Sequence, residues 1–116
     1  MLCFVLLLGA ASPPDPPAKA EDPVAASLAH LDGGRAAEAI ALLEPVVAGE
    51  PGNLPARFNL AIAYSMAGRD IDAISAFRKV LEQSPKLVAA QLNLGQLLVK
   101  TGRFEESIPL LEAAAT

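Results

Sequence analysis

A short phrase returns at a fixed distance along this chain. Gly68-Arg69-x-x-x-Ala73-Ile74 is preceded by Gly34-Arg35-x-x-x-Ala39-Ile40 and followed, at the same spacing, by Gly102-Arg103-x-x-x-Ser107-Ile108. Pro51 and Pro85 keep the same register. Each copy leads from an apolar-periodic stretch through a glycine turn into a second such stretch, which describes a helix–turn–helix. A period of about 34 residues means that one hairpin cannot bury its own apolar face and stacks on the next. The fold class is therefore all-α, an α-solenoid of about three stacked repeats.

The copy Leu54–Leu87 carries Arg57-x-x-Leu60-Ala61-x-x-Tyr64, then Ala73, Phe77 and Pro85. That order resembles the tetratricopeptide repeat, with Arg57 in the family's Trp position and Ala61 in its Gly position. The third copy keeps Leu94 and Gly95, and has Gln91, Leu98, Ser107 and Leu111 in the other positions. The first copy matches least, through Ala39, Leu43 and Pro51, with His30 where the family has Tyr. The repeats run over about 20–53, 54–87 and 88–116, the last ending before its closing proline. From that ending, with no polar helix to cap it, we read the chain as a piece of a longer protein; the alternative to a self-standing interaction scaffold is an accessory segment of a larger enzyme or of a secretion or assembly machine.

Composition narrows the possible functions. Hydrophobic residues make up 53%, with one Tyr, four Phe and no Trp, which suits closely approaching helices. The formal charge of −4 argues against a nucleic-acid partner, which would need a clustered basic face. A single cysteine, Cys3, rules out an internal disulfide or a cysteine metal cage.

Residues 1–11 form an apolar run with Leu2, Phe4, Val5, Leu6, Leu7 and Leu8, ending Gly9-Ala10-Ala11. A span needs roughly 20 apolar residues, so no stable membrane span is expected in the mature chain. Length and small-residue ending fit a secretory signal, although no Lys or Arg precedes the run. We read it as an export signal to the periplasm or outside the cell; the alternative is an apolar helix packed on the first repeat. Residues 12–22 hold Pro13, Pro14, Pro16 and Pro17, which favour an extended spacer. The same segment would also suit a proline-binding domain. The solenoid itself spans 23–116.

Helices are expected over about 23–31, 35–48, 54–67, 70–84, 86–100 and 103 to the end. Leu28, Leu31, Ile40, Leu43 and Val47 make an apolar stripe in the first hairpin, and Phe104, Ile108, Leu110 and Leu111 an inward face in the last. Pro45 and Pro109 fall inside helices and should bend or loosen them. Tyr64 and Phe77 are expected between paired helices, with Ala73 small enough for a close crossing.

No catalytic constellation is present, so the chain is read as no enzyme, with no cofactor, no metal and no small-molecule substrate. His30 with Asp32 suggests half a metal or acid–base site, or more simply a packed residue with a hydrogen-bonded tip. Arg35, Arg69 and Arg103 form a repeating stripe, either for an acidic partner or paired with nearby carboxylates. In the family that the repeats resemble, first helices line a groove that binds peptides. The resemblance places Val24 and Leu28, then Phe58, Asn59 and Ile62, then Leu92, Asn93 and Gln96, on that face. Asn59 and Asn93 lie one period apart, and an amide can hold a peptide backbone through both donor and acceptor. Ala25 fills that position in the first repeat. The competing reading is that these asparagines are ordinary polar residues on an exposed face. The expected partner is a protein or peptide.

Overall fold

The computed structural model describes residues 22–116, so the apolar run and all but the last residue of the proline-rich stretch lie outside it. Six helices and no strand occur among the described residues: α1 Pro23–Asp32, α2 Ala36–Gly49, α3 Leu54–Met66, α4 Asp70–Gln83, α5 Val88–Lys100 and α6 Phe104–Ala115. They pair as hairpins α1–α2, α3–α4 and α5–α6, and each hairpin packs on the next through α2 with α3 and α4 with α5. First helices also meet, α1 against α3.

Local chemistry explains where the helices start and stop. Asp22 caps α1 by accepting from the Val24 amide at 3.0 Å, and Asn53 caps α3 by accepting from the Ala56 amide at 3.1 Å. Pro23 and Pro55 occupy first-turn positions, where no N–H is needed. The recurring glycines end the first helices. Gly34, Gly68 and Gly102 have φ of 75°, 80° and 80°, the left-handed region that a side chain resists. Around Gly68, the Arg69 amide donates to the Tyr64 carbonyl at 2.8 Å and the Gly68 amide to the Ser65 carbonyl at 3.1 Å. The same pair of bonds surrounds Gly34 and Gly102. This reverse turn satisfies carbonyls that the helix end leaves unpaired, and it accounts for the Gly-Arg phrase.

Two other repeat positions are small for a packing reason. Ser27, Ala61 and Gly95 on the first helices, and Ala39, Ala73 and Ser107 on the second, are all buried. The buried Ser27 and Ser107 hydroxyls donate to the Val24 and Phe104 carbonyls at 2.6 and 2.7 Å, which offsets their desolvation. Arg57 and Gln91, in the Trp position, donate to the carbonyls of Pro51 and Pro85 at 3.0 Å each. They tie each first helix to the loop that precedes it.

The core is two clusters. One joins Ala39, Ile40 and Leu43 of α2 to Ala56, Leu60 and Ala63 of α3. The other joins Phe77 and Val80 of α4 to Ala61 of α3 and to Ala90, Leu94 and Leu98 of α5. Tyr64 packs against both. Fully burying a side chain such as Phe77 is worth about 1.5–3 kcal/mol, so the seams between hairpins hold the solenoid together.

The expectations for Leu28, Phe104 and Ile108 change here. Leu28 is 49% exposed, and Phe104 and Ile108 are 59% and 52% exposed, rather than facing inward. Helical spacing identifies an apolar stripe but not whether a neighbour covers it, and no described residue packs over these. The prolines do not interrupt their helices: α2 runs unbroken through Pro45 and α6 through Pro109. The carbonyls deprived of a partner belong to Ala41 and Glu105, both exposed, so water can serve them.

Candidate functional site

The first helices carry the six residues of the expected groove at equivalent positions of α3 and α5. Ile62 lies one turn on from both Phe58 (i, i+4) and Asn59 (i, i+3) on α3, and Gln96 stands likewise to Leu92 and Asn93 on α5, so each trio flanks one edge of its helix. The two groups differ in how free they are. Phe58 is half-buried, and its ring meets that of Phe77 edge-on, with centroids 5.8 Å apart and planes at 74°. Ile62 is half-buried against the same cluster. Leu92 is 42% exposed and Gln96 is exposed.

The two asparagines also differ. Asn93 is half-buried, and its Nδ2 donates to the Ala89 carbonyl one turn back at 2.8 Å. Part of its hydrogen-bonding capacity is spent on its own helix. Asn59 is only 9% exposed, yet its amide makes no hydrogen bond among the described residues. No side-chain nitrogen or oxygen there is both fully buried and unpartnered, so the Asn59 amide must still reach solvent. The result is a polar group held in place by packing with donor and acceptor both unspent.

Exposed apolar residues missed by sequence reasoning share these helices, Met66 on α3 and Val99 on α5, while Leu28 on α1, placed on that face by the resemblance, is exposed too. A helical-periodicity argument assigns such residues to the core, and nothing short of packing separates them from it.

On the other side of α3, Tyr64 joins the first two hairpins. Its hydroxyl donates to Glu44 Oε2 at 2.6 Å, and the Arg69 guanidinium lies 4.6 Å over its ring. Burial, and then the bond to Glu44, push the Tyr64 pKa up to about 12. Arg69 and Arg103 each pair with the acid three residues on, Asp72 at 2.9 Å and Glu106 at 3.0 Å, and Glu106 also receives Arg78. Arg35 instead donates from Nε to His30 Nδ1 at 3.1 Å. The arginine stripe is thus largely taken up within the molecule. No group of three metal-ligating side chains occurs among the described residues, and no helix there is long and apolar enough to cross a membrane.

Comparison with known proteins is consistent with this architecture. A tetratricopeptide repeat model matches residues 30–70 and 71–115, and a second one matches 55–86, in register with the middle repeat. The chain belongs to the tetratricopeptide repeat family. It is 34% identical over 106 residues to the tetratricopeptide repeat and J domain-containing co-chaperone DNJ1 of Fusarium oxysporum f. sp. lycopersici, covering 88% of this chain and 20% of that protein. It is 31% identical over 77 residues to DnaJ homolog subfamily C member 3 of Bos taurus, covering 66% and 15%. The chain therefore spans a fifth or less of the length of these curated relatives. Among solved structures, MamA AMB-1 superposes with a TM-score of 0.75 at 26% identity, over 80% of this chain and 55% of that one. A further crystal structure of MamA gives 0.76 at 21% identity, over 79% and 54%, a likeness of fold alone.

Proposed function

We propose that this tetratricopeptide chain is a non-catalytic protein–protein interaction scaffold that holds an extended, mostly apolar peptide along its first helices. The observation that carries the reading is Asn59: a packed side chain whose amide reaches solvent with its donor and acceptor unspent. Such a group can bond a peptide unit of any sequence without first giving up an internal partner. Phe58 and Ile62 would floor the site beside it, while Leu92, Asn93 and Gln96 would extend it onto α5. Exposed Leu92, Met66 and Val99 supply apolar surface that a peptide would cover. Asn93 plays the lesser part, since its Nδ2 is already engaged.

The test is selection of binders from a displayed random-peptide library, followed by calorimetry with the chosen peptide. Asn59→Ala should weaken binding by about 1–3 kcal/mol through the partner left unpaired, and Asn93→Ala by less. Equal affinity in wild type and both variants would overturn the reading.

A second reading is supported by the co-chaperone relatives, of which this chain spans a small part. In it the repeats serve as the partner-binding segment of a larger protein. We further propose export, on the strength of the apolar run and its Gly9-Ala10-Ala11 ending. Mass spectrometry of protein from a secreting host should then find a mature start near Ser12, and an intact Met1 would refute it.

A further inference from the structure

A cleft opens on the side of α3 that faces away from Asn59. The helices α2 and α4 wall it and α3 floors it, over a volume of about 300 Å³. Val47, Leu60, Ala76 and the Tyr64 ring give it an apolar floor. A second cleft of about 270 Å³ lies beside the loop that joins α2 to α3, and the two share Arg57 and Lys79. The helices involved are internal to the stack, since α1 packs on α2 and α5 packs on α4.

The charges around this trough are not matched within it. Glu44 accepts from the Tyr64 hydroxyl at 2.6 Å and Asp72 is paired with Arg69 at 2.9 Å, so both of these carboxylates are engaged. Arg69, Arg78, Lys100 and Arg103 all have a carboxylate partner, but no salt bridge among the described residues engages Arg57 or Lys79. Lys79 is exposed. Arg57 is half-buried, and it uses only Nη2, which donates to the Pro51 carbonyl at 3.0 Å. One repeat on, Gln91 makes the same loop bond, to the Pro85 carbonyl, without any charge. The fold therefore asks for a donor at this position and not for a cation. Ala113 stands one repeat after Lys79, so the repeat does not require that charge either. A half-buried guanidinium with most of its N–H groups unspent is best satisfied by a planar anion that accepts two of them.

We propose that this trough is a second interaction site, which takes a short acidic segment of a partner protein. A carboxylate of that segment sits between Arg57 and Lys79, and a neighbouring apolar side chain rests on Val47, Leu60 and Ala76. The trough is open along its length, which suits side chains presented by a peptide, whereas a free small ligand is held in a more enclosed pocket. Because the site and Asn59 lie on opposite sides of α3, one chain can hold two partners at once.

Two displayed peptide libraries panned on the full chain test this. One fixes Asp or Glu beside Leu, Ile or Phe, and the other has Asn or Gln in the acidic positions. Only the first should yield binders to this site, with affinity that falls as salt is raised. Amide shifts on adding a selected peptide should centre on Ala48, Arg57, Leu60 and Lys79. Lys79→Glu changes an exposed residue and should weaken binding at least about fivefold with an unaltered circular dichroism spectrum. Arg57→Gln keeps the loop bond in the manner of Gln91 and should weaken it by about tenfold. Glu82→Gln should tighten it, since Glu82 is the lining carboxylate without a partner among the described residues. Asn59→Ala should leave it unchanged, which separates this site from the first-helix groove. No binders from the acidic library, equal yield from the amide library, or affinity undiminished by Lys79→Glu and Arg57→Gln would each overturn the proposal. So would shifts confined to Phe58, Asn59 and Leu92, because the acidic peptide would then occupy the other groove.

Discussion

Ile74 and Ile108 are the same residue at the same repeat position on α4 and α6, yet the first is 3% exposed and the second 52%. The difference is what lies next door. The helix α5 packs on α4, whereas no described residue covers that face of α6. Phe77 and Leu111 repeat the contrast, one fully buried and the other half-buried. In a stacked fold, stability is a sum of hairpin terms and seam terms. A side chain's energetic worth here follows from its neighbours more than from its own chemistry.

The largest expected effect probes the filled seam. Phe77→Ala removes a ring that touches α3 and α5 together and loses the edge contact with Phe58. Urea denaturation should show a loss of about 3–5 kcal/mol. Leu111→Ala, in the equivalent position, should lose far less. Equal costs would mean that α6 is as well covered as α4, and the contrast would collapse.

Ile74→Ala and Ile108→Ala sharpen the comparison with chemistry held constant. The buried site should lose about 2–4 kcal/mol, while an exposed site should stay within about 0.5 kcal/mol.

Gly68→Val should cost more than about 1 kcal/mol, because a β-branched residue resists positive φ. Nothing stands within 4 Å of an added Cβ there, so the cost is one of backbone alone. Gly95→Ala is different: its Cβ would meet Leu111 Cδ2 at 2.5 Å and Cγ at 2.8 Å, so the whole half-buried Leu111 side chain has to turn aside. A melt showing Gly95→Ala to be the worse of the two would mean that Leu111 cannot move, and that the last hairpin is tighter than its exposure suggests.

The smallest effect concerns Tyr64, the single tyrosine of the chain. Its pKa is raised to about 12 in the folded protein, against about 10 in the unfolded chain. The folded state therefore holds the phenolic proton more tightly. The resulting stability is fully present below about pH 10 and is lost as pH rises through about 12. Ultraviolet titration should show the raised midpoint, and Glu44→Gln should lower it by removing the carboxylate. An ordinary midpoint in the folded wild type would deny the link between the first two hairpins.

Local chemistry along the chain was enough to dictate the repeat. Left-handed glycines, capping Asp22 and Asn53, first-turn prolines and small residues at the crossings are all local or periodic demands, and each is visible in the sequence before any packing is known. Helix bounds followed to within a residue or two for the same reason. The groove was legible only as a set of positions, since periodicity puts Asn59 and Asn93 in one class. Tertiary packing separated them. It closed in around Asn59 while leaving its amide unspent, and left Asn93 free to bond back to Ala89. It alone decided that Leu28, Phe104 and Ile108 stay exposed and that Phe58 is drawn against Phe77. Burial is a relation between elements distant in the chain, and an apolar stripe carries no mark of whether its partner is there.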